Sequence, residues 1–201
     1  MIAIVTGDII NSESSKAETW MPLLKNQLLK FGKTPEDWEI YRGDEFQIKT
    51  TPEKALELSL LLKAKFKTIT SLDVRLGIGI GNEAFRGKSI SESNGTAYKN
   101  SGRVFETLKE QKRTIAIKTE SINKDETLNL MLKLALDFMD NWSTVSAEII
   151  YLALENPEMQ QQELATILGI QQSAVSQRKK RARLSLVQEV LTYYSSTINN
   201  Q

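Results

Sequence analysis

Hydrophobic positions recur with two different periods along this chain of 201 residues, and the change falls near residue 120. The first part mixes strand and helix patterns. The opening MIAIVTGD is a short apolar run ending on a glycine and an acid, which suits a buried strand. Residues 17–31 show helical spacing at Leu24, Leu28 and Phe31. Residues 39–50, EIYRGDEFQIKT, read as two alternating runs around a tight Arg42-Gly43-Asp44-Glu45 corner. Pro52 and Glu53 open a strongly helical segment, with proline just ahead of the first turn. Residues 73–81 alternate cleanly. Val74, Leu76, Ile78 and Ile80 share one face, and Arg75, Gly77 and Gly79 share the other. A glycine-lined face has no side-chain packing of its own and is kept where a helix, a backbone or a ligand comes close. A polar loop then leads into the helix TAYKNSGRVFETLKEQ, and RTIAIK closes the region. Strands alternating with helices, with a hairpin inserted, predict helices packed against a mixed or antiparallel sheet.

The second part reads as all helix. The polar stretch TESINKDE, residues 119–126, is the expected linker, which divides the chain into units 1–120 and 121–201. Residues 125–141 are apolar nearly all round apart from Asn129, Lys133 and Asp137, which predicts a buried helix. STVSAEIIYLALENP predicts another, with Ser143 or Thr144 as N-cap and Pro157 past its end. Gln162 to Leu168 predicts a short helix, Gly169 a turn where positive φ costs little, and Ser173 the start of a second helix. Ala165 is small, as closely crossing helices require, and Val175 is an apolar anchor facing the first helix. This is a helix-turn-helix pattern. Leu186, Val190 and Tyr194 extend the apolar stripe of Val175 and Ala182, so the tail is expected on a neighbouring helix or a second subunit.

Composition narrows the chemistry. Lys and Arg total 26 against 25 Asp and Glu, so no global field points to a nucleic-acid or membrane partner. Cysteine and histidine are both absent. That excludes disulfides, a thiol nucleophile, zinc–cysteine sites and the usual general base. Any catalysis must rest on carboxylates, Lys, Arg or Tyr. No apolar run approaches the roughly 18 residues of a membrane span, and no basic region precedes the N-terminal apolar run. The expectation is a cytoplasmic protein.

The segment after the turn concentrates charge. Arg178, Lys179, Lys180, Arg181 and Arg183 lie within six positions, so they wrap the helix and suit phosphates on both sides of a groove. Gln171, Gln172, Ser173, Ser176 and Gln177 are placed for base edges. Residues 160–184 resemble the DNA-binding fourth region of sigma factors and related response-regulator heads. In those a valine is followed at three, six, seven and eight positions by Arg, Arg, Ala and Arg; here these are Val175, Arg178, Arg181, Ala182 and Arg183. The resemblance implies double-stranded DNA as partner. The plainer reading of the same residues is a surface-charged helical hairpin. Helix-turn-helix readers commonly work as dimers, and the apolar helices of 125–155 are candidate homodimer surfaces.

Asp8 and Asp44 raise a second possibility. In a sheet that pairs the first strand with the hairpin, both carboxylates lie at one edge. Two carboxylates a few ångströms apart bind Mg²⁺, the core of nucleotidyl transfer when a triphosphate joins it. For either residue alone the plainer reading is structural, Asp8 as a helix cap and Asp44 as a turn residue bonded to its own backbone. Gly43-Asp44-Glu45-Phe46 resembles the signature of diguanylate cyclases, with Arg42 where their first glycine stands. Asp8-Ile9 resembles the first metal aspartate of class III nucleotidyl cyclases. Residues 74–81 resemble their later core strand, and Gly95 through Arg103 the helix start that carries their transition-state Asn and Arg. The resemblance covers most of residues 1–118, in order, and implies the shared palm: a ferredoxin-like sheet backed by helices. It implies Asp8 and Asp44 as metal ligands and, with Arg103, as catalytic residues. It implies Gly43, Gly77, Gly79, Lys99 and Asn100 at a nucleotide, with Mg²⁺.

The sequence also departs from that pattern. Lys99 stands in the place of the asparagine, and Asn100 is one position late. Asn11-Ser12-Glu13 replaces an aromatic–threonine pair, and Arg42 puts a bulky cation where bare backbone would approach the nucleotide. A degenerate palm joined to a helix-turn-helix resembles the SatD family of small bacterial proteins, which implies a regulatory or DNA-binding role. The expected fold is thus α+β, a ferredoxin-like N-terminal unit followed by an all-α helix-turn-helix unit. The expected function is a DNA-binding transcriptional regulator whose cyclase-like unit senses a nucleotide or mediates dimerisation. The alternative is a Mg²⁺-dependent nucleotidyl cyclase or transferase using Asp8 and Asp44. Trp20, Trp38 and Trp142 are expected as core or interface residues rather than stacking platforms for bases, and the charges of Lys63 to Lys67 on a solvated helix face.

Overall fold

The computed structural model describes residues 1–41 and 43–199. It is a mixed α+β structure with a five-stranded mixed sheet and, among the described residues, eight α-helices. The strands are β1 (Ile2–Ile10), β2 (Trp38–Tyr41), β3 (Glu45–Thr50), β4 (Asp73–Gly81) and β5 (Ile115–Lys118). The helices are α1 (Ala17–Leu29), α2 (Ala55–Lys67), α3 (Thr96–Leu108), α4 (Ile122–Met139), α5 (Thr144–Glu155), α6 (Gln161–Leu168), α7 (Gln172–Arg181) and α8 (Leu184–Asn199). The strand order is β2-β3-β1-β4-β5, antiparallel throughout except for the parallel pair β4–β5. The hairpin turns at Gly43, whose φ of 87° is one that a side chain rarely adopts. Arg42, the cation expected to crowd the nucleotide, lies outside the described residues.

The alternation in β4 sorts the two faces. Val74, Leu76, Ile78 and Ile80 join Ala3, Val5, Phe46 and Ile48 in the main core, against α1 and α2. The glycine face is closed by a helix. An added Cβ at Gly79 would lie 2.1 Å from the Ser101 backbone nitrogen and 2.2 Å from the Ala97 carbonyl oxygen. At Gly77 it would lie 2.8 Å from the Phe105 backbone nitrogen. Of the three reasons for a bare strand face, close approach of a helix is the one this structure uses.

The helical second part is not set apart from the sheet. One hydrophobic cluster runs from β1 through α2, α4, α5 and α7 to α8. Tyr194 of α8, fully buried, donates its hydroxyl to the Pro52 carbonyl at 2.5 Å. The exposed edge of β5 is covered by Asn129 of α4. Its side-chain oxygen accepts from the Ile117 N–H at 3.0 Å, and its amide donates to the Ile117 carbonyl at 2.7 Å. That side chain continues the ladder as a strand would.

Three expectations change here. The stretch 119–126 leads straight into α4, whose first turns take up residues 122–126: Ser121 is the N-cap, and buried Asp125 accepts from the Thr119 N–H at 2.6 Å. The α4 helix is buried on one side only, with Leu130 and Leu134 60% and 68% exposed. Lys63 does not lie on a solvated face. Its side chain is fully buried and its ammonium donates to Asp73 at 2.9 Å, to Asp140 at 2.6 Å and to the Thr114 hydroxyl at 3.1 Å. A buried ammonium is tolerated only with such partners. The tryptophans are core residues, at 4%, 4% and 7% exposure for Trp20, Trp38 and Trp142. Among the described residues no helix is long and apolar enough to cross a membrane.

Candidate functional site

Two surfaces collect the residues singled out in the sequence. The first is the end of the sheet near the β2–β3 turn. Asp8 stands near the end of β1, directly opposite Arg75 of β4 in the antiparallel register. The Arg75 Nε donates to Asp8 Oδ1 at 2.9 Å, and Nη2 donates to Oδ2. This is a two-pronged guanidinium–carboxylate pair, the strongest common form of ion pair. The hydrogen bond that Arg75 donates to Asp8 raises the Arg75 pKa above its usual value; burial opposes it, and the charges of Asp8, Asp44 and Glu45 add to it. Arg75 thus sits among three carboxylates. Asp44 in turn accepts from the Ser12 hydroxyl at 2.5 Å, tying the hairpin to the β1–α1 connection. Beside it an open hollow of about 390 Å³ is lined by Ser12, Glu13, Trp20, Met21, Gly43 and Asp44, among others.

These residues fit a Mg²⁺–triphosphate poorly. Both Asp8 oxygens are held by Arg75, and the hollow presents Glu13 and Asp44 with no cation among its described lining.

The other residues expected at a nucleotide are dispersed. α3 runs back along β4, with Thr96 against Gly81, Ser101 against Gly79 and Phe105 against Gly77. Asn100 is buried and donates to the Ile80 carbonyl at 2.9 Å. That carbonyl is five residues from Arg75, roughly 16 Å along the strand. Lys99 and Arg103 are exposed on the outer side of α3, one turn apart. The structure therefore gathers Asp8, Asp44 and Gly43 at one end of the sheet and leaves Lys99 and Asn100 elsewhere. Arg75 is the residue of this site that the sequence reading left without a role. An antiparallel β1–β4 pairing was the signal available, since it puts Asp8 across from Arg75.

The second surface is α7. Gln160 and Glu163 form a capping box at the start of α6, the Gln160 N–H bonding to Glu163 at 2.7 Å. Gly169 ends α6 in a left-handed conformation, φ 62°. Val175 is fully buried and docks α7 beside Leu164 and Ala165 of α6. The far side of α7 is open. Gln172, Ser173, Ser176, Gln177, Lys180 and Arg181 are exposed and form a continuous arc, with Gln171 exposed just ahead. Lys179 is half-buried, and Arg178 is half-buried and paired with Glu148 at 3.3 Å. The four cations of the last turn also suit the negative end of the helix dipole.

Arg183 does not belong to that helix, contrary to expectation. The buried Trp142 donates its indole N–H to the Ala182 carbonyl at 3.1 Å, α7 stops, and Arg183 adopts φ 57° before α8 begins. Its guanidinium lies 5.3 Å from the centre of the Phe138 ring, towards α4. Trp142 as the clamp on α7 carried no sequence signal beyond being apolar.

The fold and these surfaces define a mixed α+β protein with an ion-paired acidic sheet end and a basic exposed helix. Residues 1–190 match the model of the SatD family, and the chain belongs to that family. No curated protein and no solved structure matches it.

Proposed function

We propose that this chain is a DNA-binding regulator in which α6 and α7 form a helix-turn-helix and α7 enters the major groove. The carrying observation is the continuous arc of amides, hydroxyls and cations on α7, opposite the fully buried Val175. Amide side chains at the N-terminal end suit base edges, and Lys180 and Arg181 suit phosphates. In this reading the sheet unit is a ferredoxin-like palm kept as scaffold. The element order and the β2-β3-β1-β4 arrangement support the palm. The Asp8–Arg75 pair supports a scaffold role, because nucleotidyl transfer through Asp8 would require Arg75 to withdraw first.

The test is titration of the full chain against labelled duplexes from a randomised pool, across a salt series. With Lys180 and Arg181 on phosphates, affinity should fall roughly tenfold between about 50 and 200 mM salt. Absence of binding at low salt, or a flat salt response, would remove the reading. The enzymatic alternative is checked separately, by incubation with the four nucleoside triphosphates and Mg²⁺ or Mn²⁺ beside an Asp44→Ala control. Product formed by the wild type and lost in the control would reinstate it.

A further inference from the structure

An apolar groove of about 520 Å³ runs between α4 and α8. Its walls are Leu130 and Leu134 of α4, one turn apart, and Leu186 and Tyr193 of α8, two turns apart. These are 60%, 68%, 40% and 47% exposed, and they are four of the ten large apolar side chains that stand exposed among the described residues. Scattered apolar side chains need no explanation, but a contiguous patch with polar residues around it marks a contact surface. Lys133 and Asp137 on α4 supply such a rim. Arg183 and Glu189 also line the groove, both exposed, and among the described residues neither has an ion-pair partner.

The geometry points to a second copy of this chain as the occupant, bound about a two-fold axis through the groove. In a two-fold contact one patch meets itself, so a patch must carry both members of each pair. This groove does so, with an apolar floor and one charge of each sign that makes no ion pair among the described residues, Arg183 lying over the Phe138 ring of the groove wall. Arg183 of one copy meets Glu189 of the other, twice. The Leu130–Leu134 ridge of each α4 enters the groove of its mate, and α4 and α8 of both copies form a four-helix arrangement. The groove edge at Arg183 directly follows α7, so the axis passes close to both basic helices. The inference concerns the chain's self-association and goes beyond the DNA reading, and its assay contains no DNA, so either can fail alone.

The experiment is sedimentation of the full chain over a concentration range, with a dimer expected at twice the chain mass of 22.7 kDa. Leu134→Glu should weaken dimerisation at least about 30-fold, the scale of a central contact residue. Its circular dichroism should stay unchanged, and its melting should match the wild type at concentrations where both are monomeric, because Leu134 is 68% exposed in the single chain. Arg183→Glu and Glu189→Arg should each weaken the dimer about tenfold, and the double exchange should restore it. A monomer at every concentration, a dimer indifferent to Leu134→Glu, or a double exchange as weak as the singles would each overturn the inference. The first of these would leave the groove to a foreign partner.

Discussion

Arg75 grips both carboxylate oxygens of Asp8 across the β1–β4 ladder, with the charges of Asp44 and Glu45 close by. A position that could have offered an open carboxylate to a metal ion is thereby an internal ion pair. The side chains are 24% and 13% exposed, so water screens the pair only in part. Arg75→Leu should cost about 2 kcal/mol by leaving that carboxylate unmatched. Asp8→Asn with Arg75→Leu should recover more than half of the loss, as read by denaturant unfolding in a double-mutant cycle. Additive costs would show that the two do not interact.

Gly79 and Gly102 should respond in opposite directions to alanine. A Cβ at Gly79 meets α3 backbone at 2.1 Å, whereas one at Gly102 meets nothing within 4 Å. Gly79→Ala should destabilise by about 3 kcal/mol or prevent folding, because backbone cannot step aside as a side-chain tip can. Gly102→Ala, inside α3, should stabilise by about 0.5 to 1 kcal/mol. Thermal melts of the two variants decide it.

Lys63 joins α2 to β4 and to the end of α4 through Asp73 and Asp140. Lys63→Ala should cost about 3 kcal/mol, since the two carboxylates lose their buried counter-charge. The cost should be smaller when Asp140→Asn is added, which chemical denaturation would measure.

Tyr194 carries a pH dependence. Burial, and secondarily the Glu53 charge, raises its phenol pKa, so the folded chain holds this proton more tightly than the unfolded chain does. The associated stability is complete below about pH 10, the unfolded value, and is lost as pH rises towards the raised folded value. Tyr194→Phe should flatten that alkaline decline. At neutral pH it should cost about 1 kcal/mol, because the Pro52 carbonyl loses its donor. Melting temperatures from neutral to strongly alkaline pH test both signs.

If α7 enters the major groove as proposed, the residues assigned to bases and those assigned to phosphates should separate. Gln172→Ala should relax sequence preference and cost about 1 to 3 kcal/mol on the best site only. Lys180→Ala should weaken all duplexes alike and reduce the salt slope by about 1. Competition binding on matched and mismatched duplexes distinguishes them.

Much of this architecture was legible in the one-dimensional pattern. The period-two run of β4 already placed Arg75, Gly77 and Gly79 on one face, and the strand–helix order already implied a sheet with helices against it. Gly169 and Val175 marked the turn and anchor between α6 and α7, because left-handed backbone and a lone apolar residue in a polar helix are local demands. The candidate site was less legible. Asp8 and Asp44 were picked out by residue type, but their partners Arg75 and Ser12 lie 67 and 32 positions away. Nothing local in DVRLGIGIG says that Arg75 will neutralise an aspartate. Lys63 misled for the same reason, since a lysine among alternating charges looks solvated until Asp73 and Asp140 are folded around it.

The sequence by itself determined the periods, caps and turns, because these depend on neighbours within a few residues along the chain. It therefore specified the element order, the bare glycine face and the basic helix. Only the tertiary structure decided what filled the glycine face, which charge met Asp8, where the helix after Val175 stopped and which leucines of α4 stayed in water. Those outcomes depend on groups brought together by strand register and helix packing. They depend on whether each buried charge finds a partner there.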